Sequence, residues 1–444
     1  MESKKFLKLS YLSGGVILAC ACLWFGLKMT DSAETPPAAP ETQKAPAAAP
    51  AQQQARPKYV RGIHLTAWVT GSPKMRAAID TLIDETELNT VVIDIKEYEG
   101  EVYIPGVKLA DDHKVFVRAI PDLADYVAKL KQKGVYTIAR IVVFKDNLIP
   151  RKMPGLAVKT PEGELWKDRR GITWLDPYNK EAWDYNLDIA ERAVELGFEE
   201  IQFDYIRFPS DGNVKTCRYV QKHSSTSSSG ALVGFLEAAH HRLKPRGVML
   251  SIDVFGLTTT VTHDMGIGQR INEMAKWVDF VSPMVYPSHY AKGEYGIAEP
   301  NKEPYKTVYL GMAGAKKRMG AAAVKLRPYL QDFSLGHRYG AKEVEAQIQA
   351  TYDNDIGDWL LWNPRCVYTR AALKSKKFSD TYERSKILPV TLETKKSSSD
   401  KKSKAVFPST GIPSALPLSG GPLTSIAAQP ETAVSSGTTA TPAQ

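Results

Sequence analysis

Short apolar runs alternate with longer amphipathic stretches along the middle of the chain. The runs are rich in β-branched and aromatic residues and are bounded by glycine, proline or polar turn residues, which is typical of buried strands. Regular alternation of such strands with helices predicts βα units and a parallel sheet. Eight runs fit this description: VRGIHLTAW (60–68), TVVIDIKE (90–97), YTIARIVVF (136–144), IQFDYIRFP (201–209), VMLSIDVFG (248–256), DFVSPMVYP (279–287), KLRPYLQDF (325–333) and DWLLWNP (358–364).

The stretches between the runs have helical periodicity, and several of them end at glycine, a usual helix stop. Together they predict an α/β fold, a single (β/α)8 TIM barrel over residues 58–390. A doubly wound open sheet would need a glycine-rich phosphate loop after the first strand, and HLTAWVTGSP stands there instead. The connections after the third and fourth strands are long, as is usual for loops that build a site. In the second of them we expect KHSSTSSSG (222–230) to be mobile, as a lid edge or a plain flexible excursion.

The N-terminal residues 1–28 combine a basic start, MESKKFLKLS, with an uncharged and mainly apolar run, YLSGGVILACACLWFGL. At about 1.5 Å per helical residue this run is short but adequate to span a bilayer, and the lysines favour an N-inside orientation. We predict a signal-anchor or transmembrane segment. A cleaved signal peptide, lipidation at Cys20 and a buried N-terminal helix are the alternatives. The first three of these four readings place the folded body outside the cytoplasm.

Low-complexity segments flank the predicted barrel. Residues 29–57 are rich in Pro, Ala and Gln, and residues 391–444 are rich in Ser, Thr, Pro, Ala and Lys. Because neither composition can bury a core, we predict a disordered linker and a disordered tail. The lysines of the N-terminus and of KKSSSDKKSK (395–404) account for most of the net charge of +9. The body has no basic stripe interleaved with aromatic residues, so no nucleic-acid partner is expected.

Polar side chains at the C-terminal ends of the strands are the candidates for chemistry, because TIM-barrel active sites lie there. IQFDYIRFP surrounds Asp204 with apolar residues, which costs several kcal/mol unless the carboxylate is paired or solvated. The alternative to a catalytic role is a salt bridge to Arg207 or Arg140. Asp253 repeats the pattern on the next strand, about 4.8 Å away, close enough for a retaining carboxylate pair. Asp332 is the third candidate, with capping of the following loop as its alternative.

Carboxylates, basic partners and aromatic rings together suit glycoside hydrolysis, in which two carboxyl groups flank the scissile bond. We predict Asp204 as nucleophile or stabilising carboxylate, and Asp253 or Asp332 as the acid/base. Aromatic faces stack on sugar rings, and basic groups keep a neighbouring carboxylate ionised. The residues predicted to bind the substrate are Arg140, Arg207, Tyr286, Gln331, Trp362, Trp68 and Lys96.

The second strand leaves an alternative open. Asp94 and Lys96 fall on one face of a regular strand, so an internal ion pair between them competes with a role in binding. Glu97 points to the opposite face unless the strand ends before it.

Histidines and cysteines lack metal-binding spacing, so no metal and no cofactor are expected. Cys217 and Cys366 lie far apart in the sequence, and a disulfide between them is left open. No GxSxG motif is present, which disfavours a serine hydrolase. A metal-dependent amidase or deacetylase is a less favoured alternative that would rely on three histidines near predicted loop ends: His64, His263 and His289.

Nine short motifs run in order from about residue 61 to residue 370: RGIHLTAW, VVIDIKEYEG, ARIVVFKD, FDYIRFPSDG, LSIDVFG, GIGQ, VSPMVYPSHY, LRPYLQDF and WLLWNP. Taken together, they resemble a bacterial family of glycosyl hydrolase-like domains of unknown function. The resemblance implies a TIM barrel, glycoside hydrolase-like activity and a catalytic aspartate at Asp204. PMVY is similar to a strand of chitinase-like barrels, although their DxxDxDxE pattern is absent. The carboxylates on strands 4, 5 and 7 resemble those of the α-amylase superfamily, with Asp253 in place of a glutamate, and Glu97 stands where an aspartate is expected.

We therefore expect a membrane-tethered, extracytoplasmic glycoside hydrolase that cleaves a cell-envelope or extracellular polysaccharide. A non-catalytic barrel that binds glycan in the envelope is the main alternative, because it would keep the aromatic residues and tolerate loss of Asp204.

Overall fold

Parallel strands form a closed barrel in the order in which they occur in the sequence. The computed structural model describes residues 56–379. Each predicted run coincides with one strand, with β4 beginning one residue before its run, which confirms the (β/α)8 barrel. The strands are β1 (Arg61–Leu65), β2 (Thr90–Lys96), β3 (Tyr136–Val142), β4 (Glu200–Asp204), β5 (Met249–Phe255), β6 (Phe280–Met284), β7 (Tyr329–Gln331) and β8 (Trp359–Trp362).

Helices connect the strands and cover the barrel. The predicted helix between β5 and β6 is only a single turn, α8, whereas the other predicted stretches form longer helices. The helical segments are α1 (Ala67–Gly71), α2 (Pro73–Glu85), α3 (Lys108–Asp112), α4 (Leu123–Gln132), α5 (Ile149–Lys152), α6 (Lys180–Glu195), α7 (Ser225–Leu243), α8 (Ile271–Met274), α9 (Pro304–Met319), α10 (Ala341–Tyr352) and α11 (Lys376–Ser379).

The segment expected to be mobile, residues 222–230, instead contains the start of α7. The Ser224 hydroxyl accepts a hydrogen bond from the Ser227 amide at 3.1 Å, and the Ser227 hydroxyl accepts one from the Ser224 amide at 2.9 Å. This reciprocal pair is a capping box, which satisfies the free amides of a first helical turn. The serine-rich composition therefore reflects a helix start rather than a lid edge.

Strand side chains alternate between two apolar clusters. On β2, Val91 and Ile93 belong to the cluster between strands and helices, whereas Val92 belongs to the cluster inside the barrel. Asp94 follows Val92 by two residues, so the same alternation directs its carboxylate inward. The inner cluster consists of Val60, Val92, Tyr136, Ile138, Tyr286, Tyr329 and Leu360.

A buried ion pair lies near the N-terminal ends of the strands. Glu200 is the first residue of β4, and its carboxylate pairs with the guanidinium of Arg327, with 3.0 Å between Oε2 and Nη1. The hydroxyl of Tyr136 donates to the same carboxylate at 3.1 Å, and the hydroxyl of Ser251 also donates to it. One guanidinium therefore meets one carboxylate at this end of the barrel.

The predicted membrane segment (1–28), the predicted tail (391–444) and nearly all of the predicted linker (29–57) lie outside the described residues. Between residues 56 and 379, the model contains no helix with the length and apolar composition needed to cross a bilayer. Cys217 and Cys366 are both buried and free, so they form no disulfide with each other.

Candidate active site

Four carboxyl groups surround one buried guanidinium at the C-terminal ends of β2 to β5. Arg140 on β3 bonds the Asp94 carboxylate through Nη1 at 2.6 Å, and Nη1 also contacts Glu97. Its Nε and Nη2 donate to Oδ2 of Asp204 at 3.0 and 2.7 Å. Asp253 on β5 lies farther away, with 3.9 Å between its Oδ2 and the Arg140 Nε. Carboxyl groups therefore outnumber the central cation.

An irregularity near the end of β2 brings Glu97 into this cluster. The pairing register between β2 and β3 shifts between Asp94 and Lys96, and the strand ends at Lys96. Regular alternation would send Lys96 inward after Asp94 and Glu97 outward. The shift reverses this, so that Glu97 contacts Arg140.

Lys96, predicted to bind substrate, lies apart from the carboxyl cluster. Its ammonium group donates to the backbone carbonyls of Val142 and Val143 at 2.7 and 3.3 Å and pairs with Asp146 at 3.0 Å. The side chain is fully buried. Lys96 therefore holds the loop that follows β3. The structure shows neither a contact between Lys96 and the carboxyl cluster nor an ion pair between Lys96 and Asp94.

The Asp204 carboxylate accepts hydrogen bonds from a guanidinium and from a backbone amide. It is the last residue of β4, and its Oδ1 accepts a hydrogen bond from the Tyr205 amide at 2.6 Å. The backbone of Tyr205 has a φ of 48°, a left-handed conformation that is uncommon for a non-glycine residue and clusters at functional sites. Of the two salt bridges that the sequence offered to Asp204, the structure contains the one with Arg140.

Asp253 and two neighbouring polar groups have no hydrogen-bond partner among the described residues. Both carboxyl oxygens of Asp253, the hydroxyl of Tyr286 and the Nε2 of His289 are buried and unsatisfied. Burial and the nearby charge of Asp204 raise the pKa of Asp253 well above its ordinary value. Buried polar groups without a partner are rare and call for an explanation such as a water or a ligand.

Glu97 and Asp94 are the two carboxyls of β2, and their pKa values are shifted in the same direction. Burial, followed by the charge of Asp94, raises the pKa of Glu97 to about 8. Burial also raises the pKa of Asp94, which shares a hydrogen bond with Glu97. Glu97 is 17% exposed, whereas the Asp94 side chain is fully buried. This raised pKa favours the protonated form of Glu97 at neutral pH, and its side chain reaches solvent whereas that of Asp94 does not.

His64 joins the cluster from β1. Its Nε2 lies 2.7 Å from the Asp94 carboxylate, and its ring stacks on Trp362 with 3.8 Å between centroids. Burial and the charge of Arg140 lower the pKa of His64 to about 3, so the ring is neutral and its Nε2 donates to Asp94. The Arg140 guanidinium also lies 5.0 Å from the Trp362 ring centroid.

His64, Asp94 and Glu97 have ligand atoms within 4.8 Å of one another, a grouping that a metal ion can use. Arg140, however, bonds Asp94 and contacts Glu97. A guanidinium on two of the three ligands already supplies the positive charge that a metal would bring, and it would repel a second cation. The donor set therefore does not fit a metal. His263 is exposed, and His289 lies near Tyr286 rather than in this grouping.

Asp332 and Gln331 hold loops. The Asp332 carboxylate accepts hydrogen bonds from the amide and the hydroxyl of Thr369 at 2.8 and 2.6 Å, which ties the end of β7 to the segment after β8. The Gln331 side chain accepts from the Ser288 amide at 3.1 Å and donates to the Phe333 carbonyl at 2.8 Å. Neither side chain contacts the Arg140 cluster in these interactions.

The predicted aromatic residues lie at different depths. Tyr286 is buried in the inner cluster, and Trp362 is partly buried against His64. Trp68, on α1 directly after β1, is 59% exposed and packs edge-on against Tyr103. Arg207 lies in a separate aromatic environment beside Asp204 and is described below.

The sequence prediction missed Glu97 as a member of the site and did not place His64 among the binding residues. The signal for Glu97 was present, because a strand that ends at residue 96 turns it inward. No sequence pattern announces the register shift itself, since it depends on the pairing of β2 with β3.

Comparisons with known proteins agree with this architecture. The glycoside hydrolase domain of PgaB (BpsB) from Bordetella bronchiseptica matches with a TM-score of 0.54 and 15% identity, over 71% of this chain and 99% of that one. This likeness shows the fold. A hypothetical protein from Ruminiclostridium thermocellum is 36% identical, with a TM-score of 0.40, over 43% of this chain and 97% of that one. A search of curated proteins found no match.

The family comparison covers most of the barrel. A family model described as "Putative glycosyl hydrolase domain" matches residues 62–368, which include every strand from β2 to β8 and nearly all of β1. The match extends over more than half of the chain and confirms the resemblance identified from the motifs. The chain therefore belongs to the putative glycosyl hydrolase domain family.

Proposed function

We propose that this protein is a glycoside hydrolase that cleaves a cell-envelope or extracellular polysaccharide, with Asp204 as the anionic carboxylate and Glu97 as the proton donor. The observation that carries the proposal is the crowding of carboxyls around Arg140. Glycoside hydrolysis needs one protonated and one ionised carboxyl. The acid and the base of an enzyme are usually a pair of titratable groups whose environments push their pKa values apart.

Asp204 has the environment of an ionised carboxylate. It accepts two hydrogen bonds from the Arg140 guanidinium and one from the Tyr205 amide. Hydrogen bonds from charged donors favour the anion. We assign to Asp204 the stabilisation of the positive charge that develops on the sugar as the glycosidic bond breaks.

Glu97 has the environment of a general acid. Its pKa of about 8 keeps it protonated at neutral pH, and it is the more exposed partner of the buried Asp94. Efficient proton donors have a pKa near the working pH. Asp332 is a poor donor because Thr369 occupies its carboxylate. Asp253 is 1% exposed, and we assign it a place beneath the reacting sugar, beside the unsatisfied Tyr286 hydroxyl.

Aromatic rings at the mouth suit sugar binding. Trp362 and Tyr286 line the inner part of the site, and the exposed ring of Trp68 stands after β1, where an extended glycan could stack on it. The N-terminal run of residues 1–28 supports an extracytoplasmic, membrane-tethered protein whose linker lets the barrel reach a polymer.

Two alternatives lead to different measurements. A non-catalytic glycan-binding barrel would keep the aromatic surface and bind glycan without cleaving it. A metal-dependent amidase or deacetylase would need a cation at His64, Asp94 and Glu97, where Arg140 competes for the same carboxyls.

The test is release of reducing ends from a polysaccharide panel that includes peptidoglycan glycan strands. The full chain is assayed beside Asp204→Asn, with and without a chelator. We expect cleavage of at least one polymer, a loss of about 100-fold or more in the variant, and no effect of the chelator. Binding without cleavage by both proteins would favour the glycan-binding module, and loss of activity with the chelator would favour the metal enzyme.

A further inference from the structure

We propose that the substrate is an acidic polysaccharide, and that Arg207 together with Lys145 binds a sugar carboxylate beside the carboxyl cluster. The inference rests on the proposed glycan-cleaving function and specifies the polymer class. The ligand is a uronic acid or another sugar that carries a carboxylate. Arg207 is a buried guanidinium that no carboxylate of the described residues pairs with directly.

Arg207 differs from the other buried arginines. Arg61 pairs with Glu87, and both Arg140 and Arg327 pair with carboxylates inside the barrel. Arg207 is 6% exposed, and within residues 56–379 no carboxylate is in ion-pair contact with it, although the charges of Asp204, Asp211 and Asp168 act on it from farther away. A buried charge without a counter-ion is costly, and proteins retain one where a ligand or a mechanism uses it.

The contacts of Arg207 leave one edge of its guanidinium open. Its Nη1 donates to the Phe208 carbonyl at 3.2 Å and to the Ser210 hydroxyl at 2.9 Å. Both of these hydrogen bonds come from Nη1, so neither occupies the edge formed by Nε and Nη2. Two parallel N–H donors on a planar edge match the two oxygens of a carboxylate.

Aromatic rings enclose the same guanidinium. Its central carbon lies 4.9 Å from the ring centroid of Trp174, 4.8 Å from that of Tyr205 and 4.7 Å from that of Phe255. Ring faces attract a cation without neutralising its charge, and they offer a stacking surface to a sugar. Burial lowers the pKa of Arg207 below its ordinary value, as expected for a cation that lacks a paired anion.

A second cation lies over the Tyr205 ring. The Lys145 ammonium is 5.4 Å from that ring's centroid and 3.4 Å from the Asp168 carboxylate. The other oxygen of Asp168 accepts from the amides of Arg170 and Ile172, which commits this carboxylate to its own loop. Among the described residues Asp168 is the only carboxylate in direct ion-pair contact with either cation, and Asp211 acts on both cations from farther away. A ligand carboxylate would be the direct partner of Arg207.

Position links this pocket to the proposed chemistry. Arg207 follows Asp204 by three residues. The ring of Tyr205 is near both Arg207 and Lys145, and its backbone amide donates to Asp204. A polysaccharide seated at Asp204 and Glu97 would place a neighbouring sugar against these cations. A carboxylate fits the single planar edge of Arg207, whereas phosphate, with three terminal oxygens, would call for further donors.

The test measures binding separately from cleavage. Oligosaccharides from polygalacturonate, alginate, hyaluronan and lactyl-bearing peptidoglycan strands are each paired with their carboxyl-reduced, neutral counterparts. Calorimetry uses the full chain carrying Asp204→Asn, so that no probe is cut. We expect at least one acidic probe to bind roughly 10- to 100-fold more tightly than its reduced form, the range of a charge-assisted hydrogen-bond pair. Equal binding of every acidic probe and its counterpart would overturn the proposal.

Variants assign the preference to the pocket. Arg207→Gln, added to Asp204→Asn, is expected to bring each acidic-to-neutral ratio to within about threefold. Arg207→Lys keeps the charge but loses the planar edge, so it should lose most of the ratio. This variant serves as the test if thermal unfolding shows that the Gln protein is not folded. Lys306→Gln, on the exposed face of α9, removes one positive charge elsewhere and should leave the ratio unchanged. An unchanged ratio in both Arg207 variants would overturn the assignment.

Cleavage assays separate this inference from the proposed function. If the wild type cuts neutral and carboxyl-reduced polymers as fast as their acidic forms, the hydrolase stands and acidic specificity is overturned. If it cuts none but binds acidic probes through Arg207, the hydrolase fails and the acidic-glycan site stands.

Discussion

The two ends of the barrel interior each hold a buried arginine, and they differ in how many carboxyls surround it. Near the N-terminal ends of the strands, Arg327 pairs with Glu200, which also accepts hydrogen bonds from two hydroxyls. At the C-terminal ends, Arg140 contacts Asp94, Glu97 and Asp204, and a fourth carboxyl stands 3.9 Å away.

The difference lies in where protons must reside. A pair with one cation and one anion is balanced and needs no extra proton. Carboxyls that outnumber their cation repel one another, so some of them retain a proton, as the raised pKa values of Glu97 and Asp253 indicate. Perturbed groups of this kind cluster at functional sites. In TIM barrels the N-terminal face serves stability and the C-terminal face serves chemistry, and our proposal divides the two arginines in the same way.

Removing the carboxylate of the balanced pair should have the largest effect. Glu200→Gln leaves Arg327 as a buried cation without a counter-ion, and we expect it to lower the free energy of unfolding by about 3–5 kcal/mol. Urea unfolding of the full chain at neutral pH measures this. Glu85→Gln, which removes a carboxylate from an exposed pair with Arg370, is the control and should change stability by less than about 0.5 kcal/mol. If Glu200→Gln lowered the free energy of unfolding by less than about 1 kcal/mol, the N-terminal ion pair would not have the stabilising role that distinguishes it from the C-terminal cluster.

Removing the proposed general acid at the C-terminal ends of the strands should lower activity rather than stability. Glu97→Gln is expected to lower kcat on a cleaved polysaccharide by about 100-fold, since it removes the proton donor. In the wild type, activity should fall as pH rises through about 8, where Glu97 loses its proton, and the variant should lack this alkaline decline.

Two controls sharpen the test of Glu97. An aryl glycoside, whose leaving group needs little protonation, should lose much less activity in the variant than the polysaccharide does. Glu101→Gln, in the same loop and bonded to the Tyr103 hydroxyl, should keep the wild-type pH profile. If the alkaline decline persists in Glu97→Gln, another group is the acid, and Asp253 is the next carboxyl to examine.

The barrel could be predicted from sequence because its strands are buried on both faces. A strand between an inner cluster and a helix layer must be apolar almost throughout, and such runs stand out, as in β5, where Leu250, Ile252 and Val254 pack outward. The start of α7 was harder to recognise, because a serine-rich segment suits a loop as well as a capping box.

The site could be predicted only where the alternation of side chains held. Asp204, Asp253 and Arg140 follow it and meet as expected. Glu97 and Lys96 exchange places because a shift in strand pairing breaks the alternation. Asp332 was a reasonable candidate by position, but its partner, Thr369, is distant in sequence. A hydrogen-bond partner so distant in sequence becomes apparent only in the folded chain.

Asp332 offers a way to sharpen the comparison within the C-terminal end itself. Asp332→Ala removes two hydrogen bonds from Thr369, and we expect a loss of about 2 kcal/mol in the free energy of unfolding. Because this carboxylate has a structural and not a catalytic role in our proposal, kcat of the folded variant should stay within about threefold of the wild type. A loss of 100-fold in kcat with unchanged stability would restore Asp332 as a catalytic residue.

The smallest expected effect concerns the pH dependence of stability at Asp253. Its pKa is raised in the folded protein, so the folded state keeps a proton that the unfolded chain releases above its ordinary value of 3.8. Stability from this group is therefore present at low pH and is lost as pH rises above about 4, at no more than about 1.4 kcal/mol per pH unit. Asp253→Asn removes the proton exchange while keeping the shape of the side chain. Urea unfolding at pH 5 and pH 6 should show a greater fall in stability in the wild type than in the variant, by at most about 1.4 kcal/mol. Parallel curves for the two proteins would mean that Asp253 is ionised in the folded state, and the C-terminal cluster would then hold fewer protons than its crowding implies.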